Sequence, residues 1–256
     1  MSSTPHDYPQ MAAQRGRVEP SPRRVRGFIG RHLVFDTTAA RYVWEVPYYP
    51  QYYIPLSDVT PGVLSDDEHP QRVQFGPTRI FSLVTDSGTV AAAARVFDAG
   101  DSAVAGLVRF EWDAVDWFEE DEPIFGHPRN PYTRVDALRS HQHVTVALGG
   151  VTLADTVSPV LLFETGLPTR YYIDRTDVAF DHMERSDTQT LCPYKGVTSG
   201  YWSVRLGDAV HADLAWSYEA PLLAVAPIAN LVAFYNEKVD ITVDGVPLAR
   251  PKTHFG

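Results

Sequence analysis

Cysteine is almost missing: Cys192 stands alone among 256 residues. One thiol excludes an intrachain disulfide, and any zinc site needing two thiolates from one chain. No stretch approaches the ~20 apolar residues of a membrane span, so no membrane partner is expected. Residues 1–26 lack the apolar core of a signal peptide, and a soluble cytoplasmic chain is the expectation. Basic charge is short as well, 22 Lys and Arg facing 32 Asp and Glu for a net charge of −10. A general nucleic-acid binder needs basic surface to displace phosphate counterions, so nucleic acid is not an expected partner. The glycine signatures of phosphate and dinucleotide loops are absent, and so is the Gly-x-Ser-x-Gly elbow. No cofactor is expected. The oligomeric state stays open.

What the chain does have is enough apolar residue for a packed core, 44% against 21% charged. Its length suits one large domain or two small ones. A self-match decides for two. Residues 30–59 lie over residues 149–178 without a gap. Glu45 falls on Glu164, an offset of 119. Gly30, Asp36, Thr37, Tyr52, Tyr53, Ile54, Asp58 and Val59 find identical partners at that offset. The match resumes at offset 121, with Phe81-Ser82 on Trp202-Ser203 and Phe97-Asp98 on Tyr218-Glu219. At offset 124 Val104, Leu107, Val108 and Phe110 meet Ile228, Leu231, Val232 and Phe234. One register held this long is the mark of a duplication, and the growing offset reflects loop insertions.

The boundaries follow. Residues 25–118 form a first repeat domain and residues 140–250 a second. Residues 119–139 are a linker, stiffened by Pro128 and Pro131. Residues 1–24, rich in Pro, Ser and Arg, read as a disordered tail or as a basic arm that docks on an acidic surface. Residues 251–256 are a second tail.

Each repeat reads as mainly antiparallel β with a short helix. Val144, Val146 and Leu148 alternate, Gly149-Gly150 turns, and Val151 and Leu153 alternate back. Residues 160–163 and 169–173 are strand candidates, and residues 201–206 and 209–218 a second hairpin. Pro227 opens the helix, with Ile228, Leu231, Val232 and Tyr235 on one face. Val104, Leu107 and Val108 mirror that face in the first repeat. Residues 239–243 are a last strand. The acidic run 111–122 reads as a solvated helix end and linker, with Trp117 and Phe118 packing on a domain.

Several strings carry a family resemblance. They are Phe163-Glu164-Thr165-Gly166-Leu167-Pro168-Thr169-Arg170-Tyr171-Tyr172, Cys192-Pro193-Tyr194-Lys195-Gly196, Ala215-Trp216-Ser217-Tyr218 and Val232-Ala233-Phe234-Tyr235. In this order they resemble the domain of unknown function 427 family, including its tandem-domain members. The family is also classed as nucleotidyltransferase-like, so the resemblance implies that activity as one alternative. The first repeat departs from the pattern: with a gap, Gly76-Pro77-Thr78-Arg79 stands where Cys192-Pro193-Tyr194-Lys195 stands in the second.

Two constellations can carry chemistry. Cys192 with Lys195 offers a thiol beside an ammonium that favours the nucleophilic thiolate, so these are the candidate catalytic residues. The alternative is a small buried thiol beside a surface turn. Glu164, Arg170, Tyr172 and Tyr194 come next as ligand-binding candidates. A strand puts Arg170 and Tyr172 on one face, and Glu164 with Arg170 forms either an ion pair or an acid/base beside an anion holder. Trp216 and Tyr218 share a strand face and either stack on a flat ligand or pack the core. His141 and His143 have a spacing that suits metal, but no further ligand accompanies them, and no metal is expected. Asp174 with Asp177 and Asp113 with Asp116 are the carboxylate pairs a Mg²⁺-dependent nucleotidyl transfer would draw on. The expected function is to bind or transform a small anionic molecule in the second repeat. A non-enzymatic interaction module using the groove between repeats is the other alternative.

Overall fold

The computed structural model describes residues 13–98, 100, 102–253 and 255. The chain divides into two compact units, Ala12–Asn130 and Pro131–Gly256. Each pairs a seven-stranded sheet with a four-stranded one, all neighbours antiparallel. In the first unit the large sheet runs Val18–Pro20, Arg41–Val43, Gln51–Pro55, Leu107–Phe110, Gly88–Phe97, Gly76–Thr85 and Leu64–Val73. In the second it runs Val135–Arg139, Val160–Glu164, Arg170–Ile173, Val232–Phe234, Ala209–Ser217, Gly200–Leu206 and Met183–Ser186. Matched strand by strand, the two orders are the same.

Local details are duplicated too. The first hairpin of each unit carries a bulge after its third residue, at Gly27/Phe28 and at Val146/Ala147. A later bulge, at 81–83 and 202–204, is accompanied by positive φ at Ala92 (51°) and Asp213 (50°). Ser82 Oγ accepts the Ala92 N–H at 3.3 Å, and Ser203 Oγ accepts that of Asp213 at 3.2 Å. The bulge frees a backbone donor and the serine satisfies it, which explains why Phe81-Ser82 and Trp202-Ser203 stand out in the self-match.

The second unit shows how sequence pattern builds two buried faces. Tyr171 and Ile173 point between the sheets, into a core with Val144, Val146, Leu153, Trp202, Phe234 and Ile241. Tyr172, one residue out of phase, points to the opposite face of the large sheet with Leu162, Tyr201, Trp216 and Tyr218. That outer face is covered by the long connection holding Leu223–Ile228. Strands buried on both faces read as unbroken apolar runs, as in Val160-Leu161-Leu162 and Tyr171-Tyr172-Ile173. The Gly149-Gly150 turn has φ of 57° and 83°, the two left-handed residues a tight hairpin turn needs.

Several expectations are corrected. The helical pieces are short 3-10 turns, and Val232–Phe234 and Leu107–Phe110 are strands. Their i, i+3, i+4 spacing straddles a turn and a strand rather than one helical face. The repeats begin earlier than residues 25 and 140. Val18–Pro20 pairs with Arg41–Val43, and Val135–Arg139 pairs with Val160–Glu164. Arg17 Nε donates to Glu19 and Arg134 Nε to Asp136, both at 2.7 Å, the same contact at the start of each repeat. The expected tail thus contains a strand, and residues 1–12 lie outside the described residues. The acidic run is not a helix end either: Asp116–Glu119 is a strand paired with Val25–Ile29. Trp117 is core, stacked on Trp112 at 4.9 Å, and Phe118 packs edge-on against Phe28.

Glu119, with a side chain only 2% exposed, gathers the edges of the first unit. It accepts from Arg23 Nη1 at 2.8 Å, Tyr52 Oη at 2.9 Å and Arg129 Nη1 at 3.2 Å. His127 stacks on Tyr49 and Asn130 donates to the Tyr48 carbonyl. Residues 127–130 are therefore part of the first unit. In Glu119→Gln the shape stays but the charge holding Arg23 and Arg129 goes. Trypsin is expected to cut after Arg129 several-fold faster in the variant, read by mass spectrometry of a limited digest. Equal rates would mean that the carboxylate does not hold this segment.

Candidate functional site

The second unit differs most from the first in one hairpin. In the first unit Leu64–Val73 and Gly76–Thr85 run as ten-residue partners to a two-residue tip. In the second the ladder breaks after Ser186, and the tip is a separate ribbon, Leu191–Cys192 paired with Gly196–Val197. Side chains bridge the break: the Thr190 N–H donates to Thr198 Oγ1 at 2.8 Å. Gly196 takes a left-handed φ of 96°, which closes the turn through Pro193, Tyr194 and Lys195. The Leu222 N–H donates to the Lys195 carbonyl at 3.1 Å and pins that turn to the covering loop.

This tip carries Lys195 onto the outer face of the sheet. Its Nζ donates to Glu164 Oε2, and the two side chains are 12% and 9% exposed. Burial alone would push the ammonium down. The charge of Glu164, with Cys192, Tyr218 and Tyr172 around it, prevails and holds Lys195 well above its ordinary value. The group is an ammonium at any physiological pH, an electrostatic device and not a base.

Around the pair stand aromatic side chains. Tyr172 is fully buried, and burial pushes its phenol up to about 12 although Lys195 and Trp216 pull the other way. Trp216 Nε1 donates to Tyr172 Oη at 3.3 Å. Trp216 is thus core, packed at 4.4 Å on Tyr235. Tyr218, 3% exposed, is raised well above the usual phenol range by burial, then by Tyr172 and Cys192, against the pull of Lys195. Cys192 is half-buried, pairs with Gly196, and lies three residues before Lys195. Tyr194 is half-buried between them.

Arg170 does not pair with Glu164. It makes a bidentate ion pair with Glu237, Nη1 to Oε2 at 2.7 Å and Nη2 to Oε1 at 2.8 Å, and a third bond to Asn236 Oδ1. Trp216, Tyr235 and Phe255 surround the guanidinium at 5.6–5.8 Å. Thr253 Oγ1 donates to Glu237 as well. Glu237 was not singled out in the sequence. Its one signal is the acid, Asp113, that stands at offset 124 in the first repeat. His143 binds Asp155 at 2.7 Å, and among the described residues no group of three His, Cys, Asp or Glu is placed to hold a metal. Asp174 caps a turn through the Thr176 N–H.

The first repeat fills the same place differently. Glu45, the copy of Glu164, accepts from Tyr53 Oη at 3.0 Å and Arg109 Nε at 3.2 Å. Arg109 stands at the position of Ala233 and pairs also with Glu111, which in turn takes Arg95, the copy of Trp216. Phe75 at the hairpin tip packs edge-on against Tyr53, the copy of Tyr172. Arg79, the expected counterpart of Lys195, lies instead on the exposed strand between Asp66 and Asp98. The cation on the repeated glutamate thus comes from a strand in one copy and from a turn in the other.

A family model described as a domain of unknown function (DUF427) matches residues 17–121 and again residues 136–245. The chain belongs to the DUF427 family. Both matches open at the early strands found above, so Val18–Pro20 and Val135–Arg139 are part of the DUF427 repeat. No curated protein matches the chain. Two DUF427 copies of one topology share the glutamate and differ in what surrounds it.

Proposed function

We propose that the second DUF427 repeat binds or transforms a small polar molecule without net charge, at a site built on the Lys195–Glu164 pair with Cys192 at its edge. The observation that carries this reading is the asymmetry between the copies. Arg109 and Phe75 fill the place in the first repeat. In the second a small Ala233 and a folded-over turn leave a mostly buried ion pair beside a thiol and phenols. The anionic ligand expected from Lys195 and Arg170 gives way to a neutral one because each cation already has its carboxylate. An anion entering there would face Glu164 or Glu237.

A thermal-shift panel of uncharged polar metabolites, of anions, and of nucleotides with Mg²⁺ tests this. Uncharged compounds are expected to raise Tm of the native chain and to leave Lys195→Met unmoved. A response confined to anions or nucleotides, or one equal in Lys195→Met, would replace the reading.

A further inference from the structure

The segment after the last strand of the second repeat is held differently from what precedes it. The Leu248 N–H donates to the Ile241 carbonyl at 2.8 Å. Beyond it, residues 249–253 make no backbone–backbone hydrogen bond among the described residues. Side chains hold the segment instead. Arg250 reaches Asp240 at 2.8 Å, an exposed ion pair of the kind that contributes little. Thr253 Oγ1 donates to Glu237 Oε1 and accepts the Phe255 N–H at 3.1 Å. The Phe255 ring covers the Arg170 guanidinium at 5.6 Å and meets Tyr235 at 5.9 Å. What lies beneath is complete without it. Arg170 takes both oxygens of Glu237, and Asn236 Oδ1 accepts a third bond. Undocking the segment therefore strands no buried charge and costs one hydroxyl bond and one ring face. A segment with so few backbone bonds belongs to the low end of local stability.

Its place gives the segment a role. Arg170 stands opposite Leu162 in the sheet, and Glu164 is two residues along that strand, so the two share the outer face side by side. Trp216 joins them, 5.8 Å from the guanidinium, 4.4 Å from the Tyr235 ring, and with Nε1 on Tyr172 Oη at 3.3 Å. The family match ends at residue 245, so Arg170 and Glu237 belong to the repeat and the segment is added to it. The first repeat has Gln51 and Asp113 at those two positions, which form no ion pair for such a segment to rest on. We propose that the segment carrying Thr253 and Phe255 is a strap over the outer face of the second repeat, and that its local release opens the site at Lys195 and Glu164 from the Arg170 side. This rests on the site proposed above and adds how it is entered. Because Arg170 stays paired when the strap leaves, the opened wall is aromatic and without net charge, which suits the uncharged ligand of that reading.

Two readouts on the full chain test the strap. Trypsin can cut after Lys252, whereas Pro251 protects the bond after Arg250. In the native chain the cut after Lys252 is expected to quicken by less than about twofold as urea rises below the unfolding transition, the mark of local opening. Thr253→Ala and Phe255→Ala are each expected to speed it several-fold while the urea midpoint stays in place. Acrylamide, an uncharged polar quencher, reports entry. Trp216 emission, taken in each background as the difference from Trp216→Phe, is expected to be quenched at least about twofold more strongly in Phe255→Ala. A cut that appears only with global unfolding would overturn the strap, as would equal quenching in Phe255→Ala. If Trp216→Phe does not fold, the trypsin result decides alone. The thermal-shift panel is read on the native chain, so failure of the binding reading is told apart from failure of the strap.

Discussion

Lys195→Met is expected to lower the unfolding free energy of the chain by about 3–5 kcal/mol, the usual cost of breaking a buried ion pair from one side. Methionine keeps most of the stem's packing, so the loss reports the carboxylate left behind. Glu164, 9% exposed, would be left near the buried Tyr172 with no cation. The double variant Lys195→Met/Glu164→Leu removes both charges and is expected to recover most of the stability. In the native chain Lys195 is raised, so its contribution is complete below about 10.4 and is lost only as pH climbs through its still higher folded value. Urea unfolding of the native chain and the two variants checks this. A single variant within about 1 kcal/mol of the native chain would show the pair to be solvated.

Arg170→Met is expected to cost as much, about 3–5 kcal/mol, because Glu237 has a side chain 1% exposed and holds the guanidinium with both oxygens. The pH dependence has a definite sign. Burial would raise Glu237, but Arg170 and Thr253 hold it below its ordinary value. A carboxyl lowered by folding stabilises above its unfolded value, about 4.3, and that stability is lost as pH falls through the folded one. In Arg170→Met the unpaired, buried carboxyl is instead expected to rise, so acid favours the variant's fold. Native and variant stabilities should therefore converge below pH about 4. Parallel curves across that range would contradict the role given to Glu237.

Much of this was legible in the sequence, and what escaped had physical causes. Hairpins announced themselves through local turn chemistry, as at Gly149-Gly150, and the duplication through identities held in register. The first strands of the repeats did not, since Val18–Pro20 is three residues long among prolines and arginines. Its place is set by Arg41–Val43, far along the chain. The strand Val232–Phe234 is likewise too short to show alternation, and a turn before it supplied a helix-like spacing. Asp116-Trp117-Phe118-Glu119 has acids enough to look solvated, yet one of them is buried under two arginines. The partners at the site were the hardest to foresee. Glu164 and Arg170 are six residues apart and looked like a pair, but each finds its counter-charge across the fold, in Lys195 and Glu237. Only the sheet order brings those together.

The turn that delivers Lys195 has one more consequence. Arg109 is threaded into a ladder between Tyr53 and Arg95, so a change of its length or position would drag two neighbouring strands with it. Lys195 hangs from a separate ribbon that leaves the large sheet after Met183–Ser186 and rejoins it at Gly200–Leu206, outside the sheet's own ladder. Residues can be added to or taken from that ribbon without slipping any strand of the sheet. The second copy is therefore the evolvable one. Its scaffold can stay fixed while the reach and chemistry of the tip are rewritten.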